Sequence, residues 1–167
     1  METDTLPNRA AAFDRESYDE NKTAVAFIMN HFLLRYLNLL YQEFDGDLLL
    51  PIVLGEIARH NILRFHSSSG KCLDIRDRLK SGADRLQHLT STNAFSISEA
   101  TGIPRETVRR KVDKLVLRGW LVKNARGELT VSATVGNHFM DDFNLKLLDE
   151  LLNASDCLLQ LLKPKVA

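Results

Sequence analysis

From Thr23 to Phe44 the chain is apolar on more than one helical stripe: Val25, Phe27, Ile28, Phe32, Leu33, Tyr36, Leu37, Leu39, Leu40 and Phe44 leave little polar surface around the axis. A helix of this kind needs cover on several sides. Asp45-Gly46-Asp47 ends it, and Leu50-Pro51 begins a second helix that carries Ile52, Val53, Ile57 and Ala58 inward. The small polar run from His66 to Lys71 reads as an exposed loop. Leu73, Ile75, Leu79, Leu86 and Leu89 are spaced for helix, and Ser81-Gly82 breaks the segment so that its last helix begins near Asp84. At the far end Phe139, Phe143, Leu147, Leu148, Leu151, Leu152, Leu158, Leu159, Leu161 and Leu162 predict a strongly apolar helix that Lys163-Pro164 terminates.

Between these greasy ends the pattern changes. Ser96 with Glu99 predicts a capping box at the start of a short helix containing Ile97 and Ala100, and Gly102 permits a sharp turn after it. Pro104 opens the next helix, where Val108, Val112, Leu115 and Val116 form one buried stripe. Glu106, Arg110, Asp113 and Lys114 project away from that stripe, with Arg109 on its flank, and the first turn, Pro104 to Thr107, points out from the helix end. Arg118-Gly119-Trp120 closes the helix, Leu121-Val122-Lys123 reads as a strand, Asn124 to Gly127 as a turn, and Glu128 to Ser132 as the returning strand.

Helix, tight turn, helix and hairpin in this order predict a winged helix-turn-helix. Short first-turn side chains of the second helix suit base edges in a major groove, arginines further along suit guanine or phosphate, and Arg126 at the hairpin tip suits a minor groove. Charge agrees. The 167-residue chain has no formal net charge, yet the stretch from Ser96 to Ser132 holds eight basic residues against four acidic ones, so the rest carries the balancing excess of acid.

The run Ser-Ile-Ser-Glu-Ala-Thr-Gly-Ile-Pro-Arg-Glu-Thr-Val-Arg-Arg-Lys-Val-Asp-Lys-Leu from Ser96 to Leu115, followed by Arg118-Gly119-Trp120-Leu121-Val122, resembles bacterial winged helix-turn-helix regulators over about 40 residues. The wider layout resembles the multiple-antibiotic-resistance-regulator (MarR) family. The segment from Leu63 to Asn93 is longer than that family's usual connection, and the hairpin turn is shorter. The resemblance implies a mainly α fold with a small β-hairpin wing, in which N- and C-terminal helices form a dimerisation region. It divides the chain into a flexible tail at 1–21, a helical dimerisation region at 22–82, the winged helix-turn-helix at 83–135 and a dimerisation helix at 136–167.

The implied function is a sequence-specific, DNA-binding transcriptional regulator, a homodimeric repressor or a ligand-responsive regulator, cytoplasmic, with double-stranded DNA and a second copy as partners. Pro104, Arg105, Glu106, Thr107, Arg109, Arg110, Lys114, Lys123 and Arg126 are the candidate DNA contacts, Thr107 through a phosphate. The MarR resemblance also implies an effector pocket where the terminal helices meet the DNA-binding part, though no residue names the ligand. The alternative is a winged-helix protein-interaction module, favoured by Glu106, Asp113 and the zero net charge.

Other functions find little support. His31, His60, His66, His88 and His138 lack the compact spacing of a metal site, and Ser69-Gly70-Lys71 lacks the upstream glycine of a phosphate-binding loop. Neither a nucleophile elbow nor a cofactor loop is legible, so no catalysis, metal or cofactor is expected. Cys72 and Cys157 read as reduced small hydrophobes. The N-terminus lacks a signal-peptide core, and no uninterrupted apolar run approaches the roughly 20 residues that cross a bilayer, so no membrane association is expected.

Overall fold

A computed structural model describes residues 13–62 and 90–164. The expected loop at 66–71 and the helix expected near Asp84 lie outside the described residues. The chain is mainly helical with one small antiparallel sheet: α1 (Arg15–Glu43), α2 (Leu49–Ile62), α3 (Ala94–Thr101), α4 (Arg105–Leu117), β1 (Leu121–Lys123), β2 (Leu129–Val131), α5 (Ala133–His138), a π-helical turn (Phe139–Phe143) and α6 (Asn144–Leu161). It divides into two compact units, one of residues 1–43 with 141–167 and one of residues 44–140.

The first unit pairs α1 with α6. Asp14 caps α1 by accepting from the Ser17 N–H at 2.9 Å, so helix begins at Arg15, inside the segment 1–21 expected to be a tail. The two helices run antiparallel: the Asp14 N–H donates to the Lys163 carbonyl, the Asn21 amide to the Leu161 carbonyl, and Arg35 pairs with Glu150. Val25, Ile28, Phe32 and Tyr36 recur at helical spacing on the less exposed side of α1, as Leu147, Ala154, Leu158 and Leu161 do on α6. Many of the other apolar residues stay open. Phe27, Met29, Leu33, Leu34 and Leu37 on α1, with Leu145, Leu148, Leu151, Leu152 and Leu159 on α6, are all exposed. Asn30, His31 and Arg35 interrupt the apolar run of α1, yet by length and composition alone it is long and apolar enough to cross a membrane.

In the second unit α2 packs across α3, α4 and β2. Its inward stripe is Leu50, Val53, Leu54, Ile57 and Asn61. Ile52, expected inside, is half exposed because it lies about 100° round the helix from that stripe. The segment expected at 22–82 as one helical region is therefore divided: α1 belongs to the first unit and α2 to the second. Val108, Val112 and Leu115 of α4 and Ile97 of α3 meet α2 in the core, and Phe44, itself buried, stacks on Phe139 and meets the buried Trp120 edge-on.

The helix before the turn starts earlier than the Ser96–Glu99 spacing suggests. Asn93 is extended and its side chain accepts from the N–H groups of Phe95 and Ser96, both at 3.0 Å, so Ser96 lies inside α3. Losing this cap in Asn93→Ala is expected to cost about 1 kcal/mol, measurable as a lower urea midpoint, and an unchanged midpoint would remove Asn93 from that role.

Candidate nucleic-acid interface

Local chemistry sets the geometry between α3 and α4. Gly102 adopts φ 70°, a left-handed value that only glycine takes cheaply, and its N–H donates to the Ser98 carbonyl at 2.9 Å. The Ser98 hydroxyl donates to the Ile103 carbonyl at 2.8 Å, and the Thr101 hydroxyl accepts from the Ile103 N–H at 3.2 Å, holding the turn from both sides. Pro104, expected as the first helical residue, is instead the N-cap, and α4 begins one residue later at Arg105.

The other end of α4 closes in a Schellman motif. The Trp120 N–H reaches the Leu115 carbonyl at 3.0 Å and the Gly119 N–H the Val116 carbonyl at 2.9 Å, with Gly119 left-handed. Strand β1 follows and pairs with β2 in the register Leu121↔Val131, Val122↔Thr130, Lys123↔Leu129. The hairpin turn is organised by Asn124, whose side-chain oxygen accepts from the N–H groups of Arg126 (2.9 Å) and Glu128 (3.0 Å). That places Arg126 exposed at the tip.

The charged side chains of α4 fall into three groups. Arg109 is held by two acids of its own helix: Nε donates to Glu106 Oε2 at 2.9 Å, Nη2 to Glu106 Oε1 at 2.7 Å and Nη1 to Asp113 Oδ2 at 3.1 Å. The Arg109 hydrogen bond holds the Glu106 carboxyl below its usual range, slightly opposed by desolvation. Lys123 on β1 approaches the same Asp113 at 3.6 Å.

Lys111, Lys114 and Arg118 form the second group and meet the acidic turn after α1. Lys111 Nζ lies 2.6 Å and Lys114 Nζ 3.3 Å from Asp47 Oδ2, while Arg118 pairs with Asp45 and lies over the Trp120 ring. Burial raises the Asp47 pKa, but hydrogen bonds from Lys111 and Lys114 outweigh it and keep the carboxyl below its usual range.

Arg105, Arg110 and Arg126 make up the third group, with no carboxylate partner among the described residues. The Arg105 guanidinium sits 5.8 Å from the centroid of the exposed Phe95 ring, and Arg110 donates weakly to the half-buried Thr107 hydroxyl at 3.4 Å. Pro104 and Glu106 are exposed beside them.

No family model, curated protein or solved structure matches this chain. The weight therefore falls on the geometry. All nine expected contact residues lie on α4, at its N-cap, or on the following hairpin, but three of the basic ones, Arg109, Lys114 and Lys123, are paired with acids of the same unit. Asn124 opens the turn expected at Asn124 to Gly127, and its side chain organises that turn. Nothing local in the sequence marks Phe95 as a partner of Arg105, or Asp45 and Asp47 as partners of the α4 cations.

Proposed function

We propose that residues 44–140 form a winged helix-turn-helix that binds double-stranded DNA, and that the chain is a transcriptional regulator related in layout to the MarR family. One observation carries the reading: the helix after the Gly102 turn and the tip of the following hairpin present Arg105, Arg110 and Arg126 uncommitted to any acid among the described residues. These are the positions from which such a unit reaches a major groove and the adjacent backbone or minor groove. Pro104, Glu106 and Thr107 complete the first turn that would face bases or phosphate.

Homodimerisation is the second part of the proposal. Two paired helices cannot cover both of their own apolar faces, and a second copy of α1 and α6 would bury them as a helical bundle. An apolar groove of about 380 Å³ between α1 and α6, lined by Met29, Leu33, Leu151 and Leu158, offers a seat for the partner's side chains.

The test is fluorescence anisotropy with the chain's own upstream DNA and an unrelated duplex across a salt series. Specific binding is expected for the upstream duplex, with affinity falling steeply as salt rises. Arg105→Ala with Arg110→Ala is expected to lower affinity roughly tenfold to a hundredfold for each base that is no longer recognised. Absence of binding to either duplex at low salt would refute the DNA reading. It would favour the protein-interaction module, which Leu117 supports: it is 87% exposed on the outward face that also carries Glu106 and Asp113.

A further inference from the structure

We infer that the turn Asp45-Gly46-Asp47 is a specificity determinant of the proposed DNA interface: its two carboxylates engage Lys111 and Lys114 of α4 and Arg118 just after it, and so weaken the sequence-independent phosphate contact of these cations. The inference rests on the DNA reading and deepens it. At 100° per residue, positions 111, 114 and 118 share one flank of α4 within about 60°, while 106, 110, 113 and 117 centre the outward face. The acidic turn meets that flank. Asp47 places both carboxylate oxygens on Lys111, at 2.7 and 2.6 Å, and one of them on Lys114 as well, while Asp45 takes Arg118.

At its centre the clasp is more than a solvated charge pair: the Lys111 and Asp47 side chains are only 16% and 19% exposed, so salt screens them poorly, while Lys114 and Asp45 at its edges are open to water. The turn is anchored as well: Phe44, 1% exposed, precedes it in the core, the Asp47 N–H donates to the Phe44 carbonyl at 3.0 Å, and Asp45 and Gly46 both take positive φ. A phosphate approaching this flank would have to displace carboxylates already seated on their cations.

Free cations there would strengthen binding to every duplex alike, because phosphate contacts carry no sequence information. With two carboxylates set against the three cations of the flank, attraction is weighted towards Arg105 and Arg110 near the start of α4 and towards Arg126, the positions that can distinguish bases or groove width. The clasp thus lowers binding to unrelated DNA more than binding to the proper site, which raises the ratio between them.

The experiment measures log affinity against log salt on an unrelated duplex for the full chain, Lys114→Gln, Asp45→Asn/Asp47→Asn, and the triple variant. Lys114→Gln in the full chain is expected to flatten the slope by clearly less than it does once the acids are removed, because Asp47 already occupies the ammonium. Asp45→Asn/Asp47→Asn should steepen it by about one to two and raise affinity roughly tenfold for each phosphate newly neutralised at ~0.1 M salt; adding Lys114→Gln should take back about one of slope. A slope flattened as much by Lys114→Gln in the full chain as in the double variant, or unaltered in a double variant with native far-ultraviolet circular dichroism, overturns the inference. Should the double variant fail to fold, Asp45→Asn decides: its carboxylate is 82% exposed, so release of Arg118 should steepen the slope by about one, and no change overturns the inference. If the unaltered chain binds neither duplex, the DNA reading fails and the inference with it; if it binds but the variants leave the slope unmoved, only the inference fails.

Discussion

Asn61→Leu is expected to lower the stability of residues 44–140 by about 2–4 kcal/mol, seen as a large drop in the urea midpoint followed through Trp120, the single tryptophan. Asn61 is fully buried at the end of α2. Its amide donates to the carbonyls of Thr90 (2.7 Å) and Leu129 (3.2 Å), and its oxygen accepts from the Val131 N–H at 2.8 Å. The Leu129 carbonyl has a second donor in the Thr92 N–H, but Val131 faces Leu121 in the part of the ladder where the Ser132 N–H and Trp120 carbonyl make the bond instead. Leucine fills the same space and leaves the part-buried Val131 N–H unpaired, at about 1–3 kcal/mol, and forfeits the bond to the carbonyl of the exposed Thr90, at about 1 kcal/mol. An unchanged midpoint would mean that water or a backbone shift replaces the side chain. In that case Asn61 would not be the polar link between α2 and the hairpin.

The second large effect concerns self-association. Leu33→Lys with Leu151→Lys is expected to leave a monomer at concentrations where the unaltered chain sediments as a dimer. Both residues line the α1–α6 groove and both are about half exposed. In a twofold dimer each substitution is felt twice, so four leucines, each with about half of its side chain left to bury and so contributing about 1 kcal/mol, would be replaced by charges. The urea transition of Trp120 should move little, because the substitutions lie in the other compact unit. A monomeric unaltered chain would refute the dimer, and recovery of that chain with lipid vesicles would assign the open face of α1 to a membrane. Loss of the dimer should also weaken binding to a site with two half-sites by far more than binding to a single one, since the link between the two recognition helices is broken.

The elements that were legible in advance are those whose causes are local. Gly102, Pro104, Gly119 and Gly127 mark the ends of α4 and the hairpin turn because each answers a demand of the backbone within a few residues. The stripe of Val108, Val112 and Leu115 follows from helical period alone. The spacing of Ser96 and Glu99 matches a capping box, but Asn93 has the extended backbone and accepts both N–H groups, so the cap lies three residues earlier. On α2, an apolar Ile52 was as plausible inside as Leu54 until the neighbours fixed which side faces them.

The sequence by itself thus determined the two long apolar helices, the tight turn between α3 and α4, the hairpin and the concentration of basic charge around α4, but not the separate α5 and π-helical turn before α6. Tertiary structure decided which of those charges are available. Lys111 and Lys114 meet Asp47 across separations of 64 and 67 residues and Arg118 meets Asp45 across 73, while Asn61 joins groups 29 to 70 residues away. Helical period shows which way a side chain points, and no periodicity carries information about what the folded chain brings to meet it.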